Sequence, residues 1–250
     1  MVKNKYYTSL TYSKVEYMSQ TTKKALIILT SHTELGSTGQ KTGFYYDEMA
    51  TPYWRLIDAG FDVDIASIKG GITLPDPKTL VEPNDRPPMV ARFMNNDEAI
   101  MKINNSHTLK EINAKAYECV FLPGGHGTMW DFDTEDIGKI ISDAWAVGAI
   151  IGAVCHGPSG LLQAKNIYGE PLVKGLKVNS FTNAETDQIG LTGIEPFLLE
   201  SRLRELGAKF ECSKNFTSHA VRDGCLVTGQ NPQSTKAVSD LLMKAVNEKN

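Results

Sequence analysis

An α/β fold, a mostly parallel sheet with helices on both faces and a small proline-rich cap inserted into it, is what this sequence predicts, on three observations. Short apolar runs alternate with amphipathic stretches, the rhythm of βαβ units whose crossovers are right-handed. The run Val147 to Val154, VGAIIGAV, is small and apolar throughout, the composition of a strand buried on both faces of a parallel sheet. Gly70 to Asn96 then breaks the rhythm with Pro75, Pro77, Pro83, Pro87 and Pro88, too many for regular elements and long enough for a lid or cap, which we place at about 70–112.

The elements follow in order. Lys24 to Thr30 (KALIILT) is the first strand, and Ser31 to Thr42 a polar, glycine-dotted loop. From Gly43 to Gly60, Phe44, Met49, Tyr53, Leu56 and Ile57 recur at three-and-four spacings, an amphipathic helix that Pro52 should kink or split. Phe61 to Ile68 alternates as the second strand, Asp97 to Asn113 reads as a polar-faced helix, and Tyr117 to Pro123 as a buried strand. Thr134 to Val147 is the helix before the VGAIIGAV strand. Leu176 to Phe181 resembles a strand, Asn183 to Thr186 opens a loop, and Pro196 to Leu206 is an amphipathic helix stopped by Gly207. Ala208 to Cys212 and Val221 to Thr228 are short strands, and Thr235 to Val246 closes the chain as a helix.

The chain has 250 residues, 41% of them hydrophobic and 22% charged, with a net charge of -3. That is an ordinary soluble composition, and no Lys/Arg-rich run argues for nucleic acid or an anionic membrane. Residues 1–22 are polar, with no apolar segment to act as a secretory signal or anchor, so a cytoplasmic protein is expected. No repeat or linker divides the rest, which reads as one domain over 23–250 behind that N-terminal extension. Cys119, Cys155, Cys212 and Cys225 lie far apart with no C-x-x-C pair and are expected to be reduced. Cys119 reads as core packing, Cys212 and Cys225 as structural. His32, His107 and His219 lack mutual ligand spacing, so no metal site is expected.

Chemistry concentrates at two glycine-bearing turns. The strand Val147 to Val154 ends abruptly at Cys155, and Gly157, Pro158, Leu161 and Leu162 follow as a tight turn into a helix, with proline tolerated in the first turn. Ala153-x-Cys155-x-Gly157 is small-x-nucleophile-x-small, the spacing of a nucleophile on a sharp strand-to-helix turn, where bulky neighbours do not fit. A helix N-terminus there would lower the thiol pKa. A buried structural cysteine is the alternative, weakened by the strand before Cys155 and the polar His156 after it. Gly124-Gly125-His126-Gly127 follows the previous buried strand, and paired glycines let backbone N–H groups face a bound oxyanion; a plain tight turn is the alternative.

PGGHG at Pro123 to Gly127, AVCHGP at Ala153 to Pro158, SFTNAE at Ser180 to Glu185, PFLLESRLRELGA at Pro196 to Ala208 and TGQNPQST at Thr228 to Thr235 together resemble the ThiJ/PfpI superfamily. The proline-rich insertion and HGTMWD at His126 to Asp131 are similar to its heat-shock chaperone and glyoxalase III branch. The resemblance covers Lys24 to the end. It implies a flavodoxin-like doubly wound sheet, a homodimer, and a Cys-His-acid constellation at Cys155, His156 and Glu185. It further implies a glutamate at Glu48, with Gly125 and His156 supplying oxyanion-hole N–H groups. Asp47 competes with Glu48 for the inward position, and His126 with Asp131 is expected to shape the pocket.

The activity implied is glutathione-independent conversion of a small 2-oxoaldehyde, methylglyoxal, to lactate, with no cofactor. Three alternatives remain open. A holdase for unfolded clients would use an apolar patch at Met89, Phe93 and Met94. A deglycase or cysteine peptidase would use Cys155, His156 and Glu185. A glutamine amidotransferase fits less well, because its downstream His-x-Glu is absent: Val221 stands two residues after His219.

Overall fold

The computed structural model describes residues 23–249, so the expected N-terminal extension lies outside the described residues. In chain order the regular elements begin with β1 (Lys24–Leu29), α1 (Tyr46–Asp58), β2 (Asp62–Ser67), α2 (Pro88–Met94), α3 (Asp97–Asn104), β3 (His107–Thr108) and β4 (Cys119–Leu122). They continue with α4 (Thr128–Asp131), α5 (Glu135–Ala146), β5 (Ile150–Val154), β6 (Lys177–Val178), α6 (Asn183–Gln188) and α7 (Leu199–Glu205). The last are β7 (Lys209–Phe210), β8 (Ala220–Asp223), β9 (Leu226–Gly229) and α8 (Thr235–Lys249).

Seven strands form one sheet in the order β3-β2-β1-β4-β5-β9-β8, parallel throughout except for the β8–β9 hairpin. This is the flavodoxin-like α/β sheet the sequence predicts. Successive side chains of a strand face opposite ways, and β1 feeds two cores accordingly. Ala25, Ile27 and Leu29 pack with Met49 and Trp54 of α1, Phe93 of α2 and Leu242 of α8. Leu26 and Ile28 pack on the other face with Ile137 and Ile141 of α5 and Leu203 of α7. All five residues of β5 are buried, as a central parallel strand requires. The strand order reverses between β1 and β4, and the crevice at the carboxyl ends beside such a reversal is where open α/β sheets hold ligands.

Several expectations change at element boundaries. Pro52 lies inside a single continuous α1 rather than dividing it. The helix expected to reach Asn113 stops at Asn104, its start capped by the Asn96 side chain, which accepts from the Ala99 N–H. The elbow strand begins at Ile150, because Gly148, in the left-handed region at φ 77°, terminates α5. The insertion is more regular than its prolines suggest, since Pro88 opens α2 in a position that needs no N–H. Phe93 is fully buried among Tyr46, Tyr53 and Trp54, while Met89 and Met94 pack against the same core, so these residues form no exposed apolar patch. Val221 to Thr228 is a hairpin rather than one strand, and Cys212 is exposed rather than structural.

Candidate active site

The elbow is built from the end of β5. Cys155 has φ 60°, a left-handed conformation that costs a non-glycine residue about 1–3 kcal/mol and persists only where surroundings impose it. Here they do: the Cys155 N–H donates to the Gly229 carbonyl at 2.9 Å, and its own carbonyl accepts from the Phe181 N–H at 2.8 Å. A Cβ at Gly157 would stand 2.0 Å from the Leu122 carbonyl oxygen, the steric reason for a residue without a side chain two places after the thiol. The chain then enters a five-residue 3-10 turn, Gly157–Leu161, in place of the expected α-helix.

α1 turns Glu48 inward, fully buried, and leaves Asp47 half-buried with its carboxylate accepting from the Thr51 hydroxyl at 2.7 Å. Glu48 Oε2 accepts from the Gly124 N–H at 2.8 Å, and the carboxyl lies beside the Cys155 side chain over Gly124. Burial, with no cation to offset it, pushes the Glu48 carboxyl up to about 8. Burial and then the Glu48 charge also push the Cys155 thiol well above its ordinary value, while the backbone N–H groups of His156 and Gly125 pull the other way. The lowering expected from a helix N-terminus is therefore overturned: a short 3-10 turn cannot outweigh full burial beside a carboxyl. Gly125 sits at φ 103°, and a Cβ there would meet the Gly43 carbonyl oxygen at 2.2 Å, so the turn that aims its N–H excludes any side chain.

His156 places Nδ1 3.2 Å from Cys155 Sγ, its ring packed 4.5 Å from that of Phe181. The acid beside it is not the expected Glu185. Glu195 Oε1 lies 3.1 Å from His156 Nε2 and 2.9 Å from His126 Nδ1. Burial would raise the Glu195 carboxyl, but the two histidines together outweigh it and hold it down at about 2. Glu185 is also fully buried and does different work. Its Oε2 accepts from the N–H and hydroxyl of Thr182, closing a capping box on α6 where a loop was expected. Its Oε1 accepts from the Phe216 N–H at 2.8 Å, Asn231 Nδ2 at 2.8 Å and Gln230 Nε2 at 3.1 Å. Every acceptor site thus faces a donor on α6 or the walls beside it, and none reaches His156.

Cys155, His156, Gly125 and His126 open onto a cavity of about 220 Å3 walled by Tyr45, Phe181 and Phe216. Among the described residues Phe216 is the other non-glycine residue in the left-handed region, at φ 54°, held by the bond to Glu185. His126 lines this cavity as expected, whereas Asp131 lies behind it, accepting from the Thr30 hydroxyl and the Ser31 N–H. His126 Nδ1, His156 Nε2 and a Glu195 oxygen lie within 4.8 Å of one another, a possible cation-binding set that includes none of His32, His107 and His219. Glu195 carries no sequence signal, being a lone acid before Pro196 in a loop. The Thr182-x-x-Glu185 box was readable and marks Glu185 as a capping residue.

Residues 41–245 match the sequence model of the DJ-1/PfpI family. A Saccharomyces cerevisiae protein named a glutathione-independent glyoxalase is 32% identical over 228 residues, covering 87% of this chain and 95% of that protein. The crystal structure of glyoxalase III from Candida albicans superposes with a TM-score of 0.82 at 29% identity, covering 90% of this chain and 97% of that one. The Rapid Encystment Protein of Francisella tularensis gives a TM-score of 0.84 at 33% identity, covering 90% and 99%. The matched family, the parallel sheet and the thiol on its elbow agree, and the chain belongs to the DJ-1/PfpI family.

Proposed function

We propose that this protein is a glutathione-independent glyoxalase that converts a small 2-oxoaldehyde such as methylglyoxal, with water, to lactate. The observation that carries the reading is the buried Glu48–Cys155 pair: a carboxyl beside the thiol over Gly124 and raised to about 8 is poised to take and return a proton near neutral pH. Cys155 attacks the aldehyde carbon, a C–S bond forms, and the thiol proton passes to His156 Nδ1, 3.2 Å away. The carbonyl pair moves to oxygen, where the Gly125 and His156 N–H groups stabilise it. Glu48 in its ionised form removes the remaining C–H proton of that carbon and delivers it to the neighbouring carbon through an enediol, while the proton held on His156 passes to the oxygen of that neighbouring carbon, which becomes the hydroxyl of the product. The product is a thioester of Cys155, which water cleaves to lactate and the free thiol. Glu195 orients His156 from the far side of the ring.

The names of the yeast and Candida relatives support the reading, as does the apolar cavity of about 220 Å3, which admits a small carbonyl compound. The experiment is lactate formation from methylglyoxal without glutathione, comparing wild type, Cys155→Ala and Glu48→Gln. Activity in wild type and loss in both variants is the expected result; an active Glu48→Gln refutes the enediol role. A second reading, thiol hydrolysis as a deglycase or peptidase, draws on the Cys155, His156 and Glu195 line and needs no Glu48, so the same variant separates the two. We place the protein in the cytoplasm as a homodimer; no helix among the described residues is long and apolar enough to cross a membrane. Holdase action on unfolded clients would require a surface other than buried Phe93, and aggregation suppression by Cys155→Ala tests it.

A further inference from the structure

The reaction cavity has a larger neighbour. A second cavity, of about 290 Å3 against about 220 Å3, shares Tyr45, Lys78, Thr79, Pro232 and Gln233 with it as common walls. Its far side is built by the proline-rich insertion, through Val81, Asp85 and Val90, and by Asp47 of α1. Cys155, Gly125, His126 and Phe181 line the first cavity alone. Methylglyoxal, whose only tail is a methyl group, sits wholly at the thiol end and leaves the larger chamber to water, whereas a binding site usually encloses most of its ligand. We infer that the second cavity is a subsite for the tail of a longer substrate, and that this tail is polyhydroxylated: the substrate is a sugar-derived 2-oxoaldehyde.

The lining decides the chemistry of the tail. Among the described residues the side chains of Lys78, Asp85 and Gln233 have no hydrogen-bond or ion-pair partner in the protein, and Asp47 engages one carboxylate oxygen with Thr51 and leaves the other unpaired. The Thr79 hydroxyl donates to the Asp76 carbonyl at 2.7 Å and keeps its acceptor lone pairs. Burial, and then the Glu48 charge, push the Tyr45 phenol up to about 12, so its proton stays available for donation. Carboxylates that accept thus stand beside an ammonium, an amide and a phenol that donate. A hydroxyl does both, so a chain of them pairs with either kind. An alkyl or aryl tail would desolvate these groups and return no hydrogen bond. A phosphate or carboxylate tail would meet two carboxylates for one ammonium.

The seam between the cavities is fixed before any ligand arrives. The Tyr45 N–H donates to the Gly124 carbonyl at 3.0 Å, and the Asp76 N–H donates to the Phe44 carbonyl at 2.8 Å, which ties the insertion to the residue before Tyr45. The buried Asp76 carboxylate accepts from the Lys78 N–H and the Thr42 hydroxyl, each at 2.9 Å, and so holds residues 78 and 79 in place. Walls set in advance spare the ordering cost of binding. Resting on the glyoxalase reading, contacts to the non-reacting tail speed reaction at the aldehyde end and are read in kcat/KM. Water converts R–CO–CHO to R–CHOH–COOH, the aldehyde carbon being oxidised and its neighbour reduced, so the longer substrate needs no further reactant.

The test is turnover of 3-deoxyglucosone, phenylglyoxal and methylglyoxal to their 2-hydroxy acids by wild type, Val81→Trp and Asp85→Ala, each rate referred to the open-chain aldehyde. Val81 and Asp85 are exposed, and circular dichroism confirms each fold. Wild type should favour 3-deoxyglucosone over both comparators by at least about tenfold in kcat/KM. Val81→Trp, which fills the second cavity, should lower the ratio of 3-deoxyglucosone to methylglyoxal at least about tenfold and Asp85→Ala about threefold, whereas general damage lowers both substrates together. An unchanged ratio in Val81→Trp overturns the subsite, and Asp85→Ala carries the test if Val81→Trp fails to fold. A wild type that favours phenylglyoxal overturns the polyhydroxylated tail. Binding separates the subsite from the reaction: adding Val81→Trp to Cys155→Ala should weaken calorimetric binding of 3-deoxyglucosone at least about tenfold. That loss, in a protein whose wild type turns over no 2-oxoaldehyde, supports the subsite and refutes the glyoxalase reading. Turnover of methylglyoxal with equal binding by both proteins keeps that reading and overturns the subsite.

Discussion

Glu48 and Glu195 are both buried carboxyls within one residue's reach of the same thiol and histidine, yet one is pushed up to about 8 and the other held down at about 2. Burial raises each; the difference is in what faces them. Glu48 has one backbone N–H and a thiol, neither able to offset its charge, and the thiol turns into a like charge once ionised. Glu195 has two imidazoles on one oxygen. A single pocket thus holds one carboxyl that keeps its proton and one that has lost it, the separation that assigns acid–base work to the first and orientation to the second. Glu185 extends the comparison. Equally buried, it spends its oxygens on five donors from the surrounding backbone and side chains and serves architecture.

The comparison can be broken at each carboxyl, beginning with the largest effect. Glu48→Gln should lower kcat by about 10²–10⁴-fold with KM little changed, as expected when a positioned general base is removed; steady-state lactate formation measures this, and a fall in kcat under tenfold would give Glu48 no proton to carry. Glu185→Ala should destabilise the fold by at least about 3 kcal/mol in urea melts, since it strands several buried donors at about 1–3 kcal/mol each. The enzyme that remains folded should lose affinity more than turnover as Phe216 leaves its strained position; an unchanged melting curve would show that the network is dispensable. Glu195→Gln should slow turnover about ten- to a hundredfold, the cost of losing the partner that orients a working histidine. A kcat equal to wild type would remove Glu195 from the apparatus.

The smallest effect is thermodynamic and opposite in sign for the two carboxyls. Between the ordinary carboxyl value of 4.5 and about 8, folded Glu48 holds a proton that the unfolded chain has released, so stability falls as pH rises. From pH 6 to 8 the loss should be about 2 kcal/mol, and Glu48→Gln should flatten it; the same slope in both proteins would mean the carboxyl is ionised in the fold. Glu195 works in the other window: its contribution is complete above 4.5 and is lost as pH falls toward about 2. Glu195→Gln should therefore soften acid unfolding and leave the alkaline limb alone.

Much of this was legible in one dimension. β1, β4 and β5 were readable because a strand buried on both faces must be continuously apolar, β2 because its apolar residues alternate with polar ones, and α8 and α5 because their apolar positions recur at helical spacing. The elbow was readable because steric crowding at a sharp turn admits only small residues beside Cys155, and the Gly157 contact with the Leu122 carbonyl is that crowding. Legibility failed where the deciding neighbour is distant in sequence. The proline-rich segment turned out to hold α2, because Phe93 has a pocket on α1 that no local pattern announces.

The sequence by itself determined the parallel α/β sheet, the place of the thiol at the end of its central strand and the turn at Gly124 and Gly125, since hydrophobic period and steric exclusion act between near neighbours. Only the tertiary structure decided which carboxyl serves which atom. Glu195 comes to His156 from 39 residues along the chain, Glu185 is drawn to Phe216 and Asn231, and Asp47 turns out as Glu48 turns in. It also decided the charges, because burial and paired partners move a carboxyl up or down, and neither exists until the chain has closed around it.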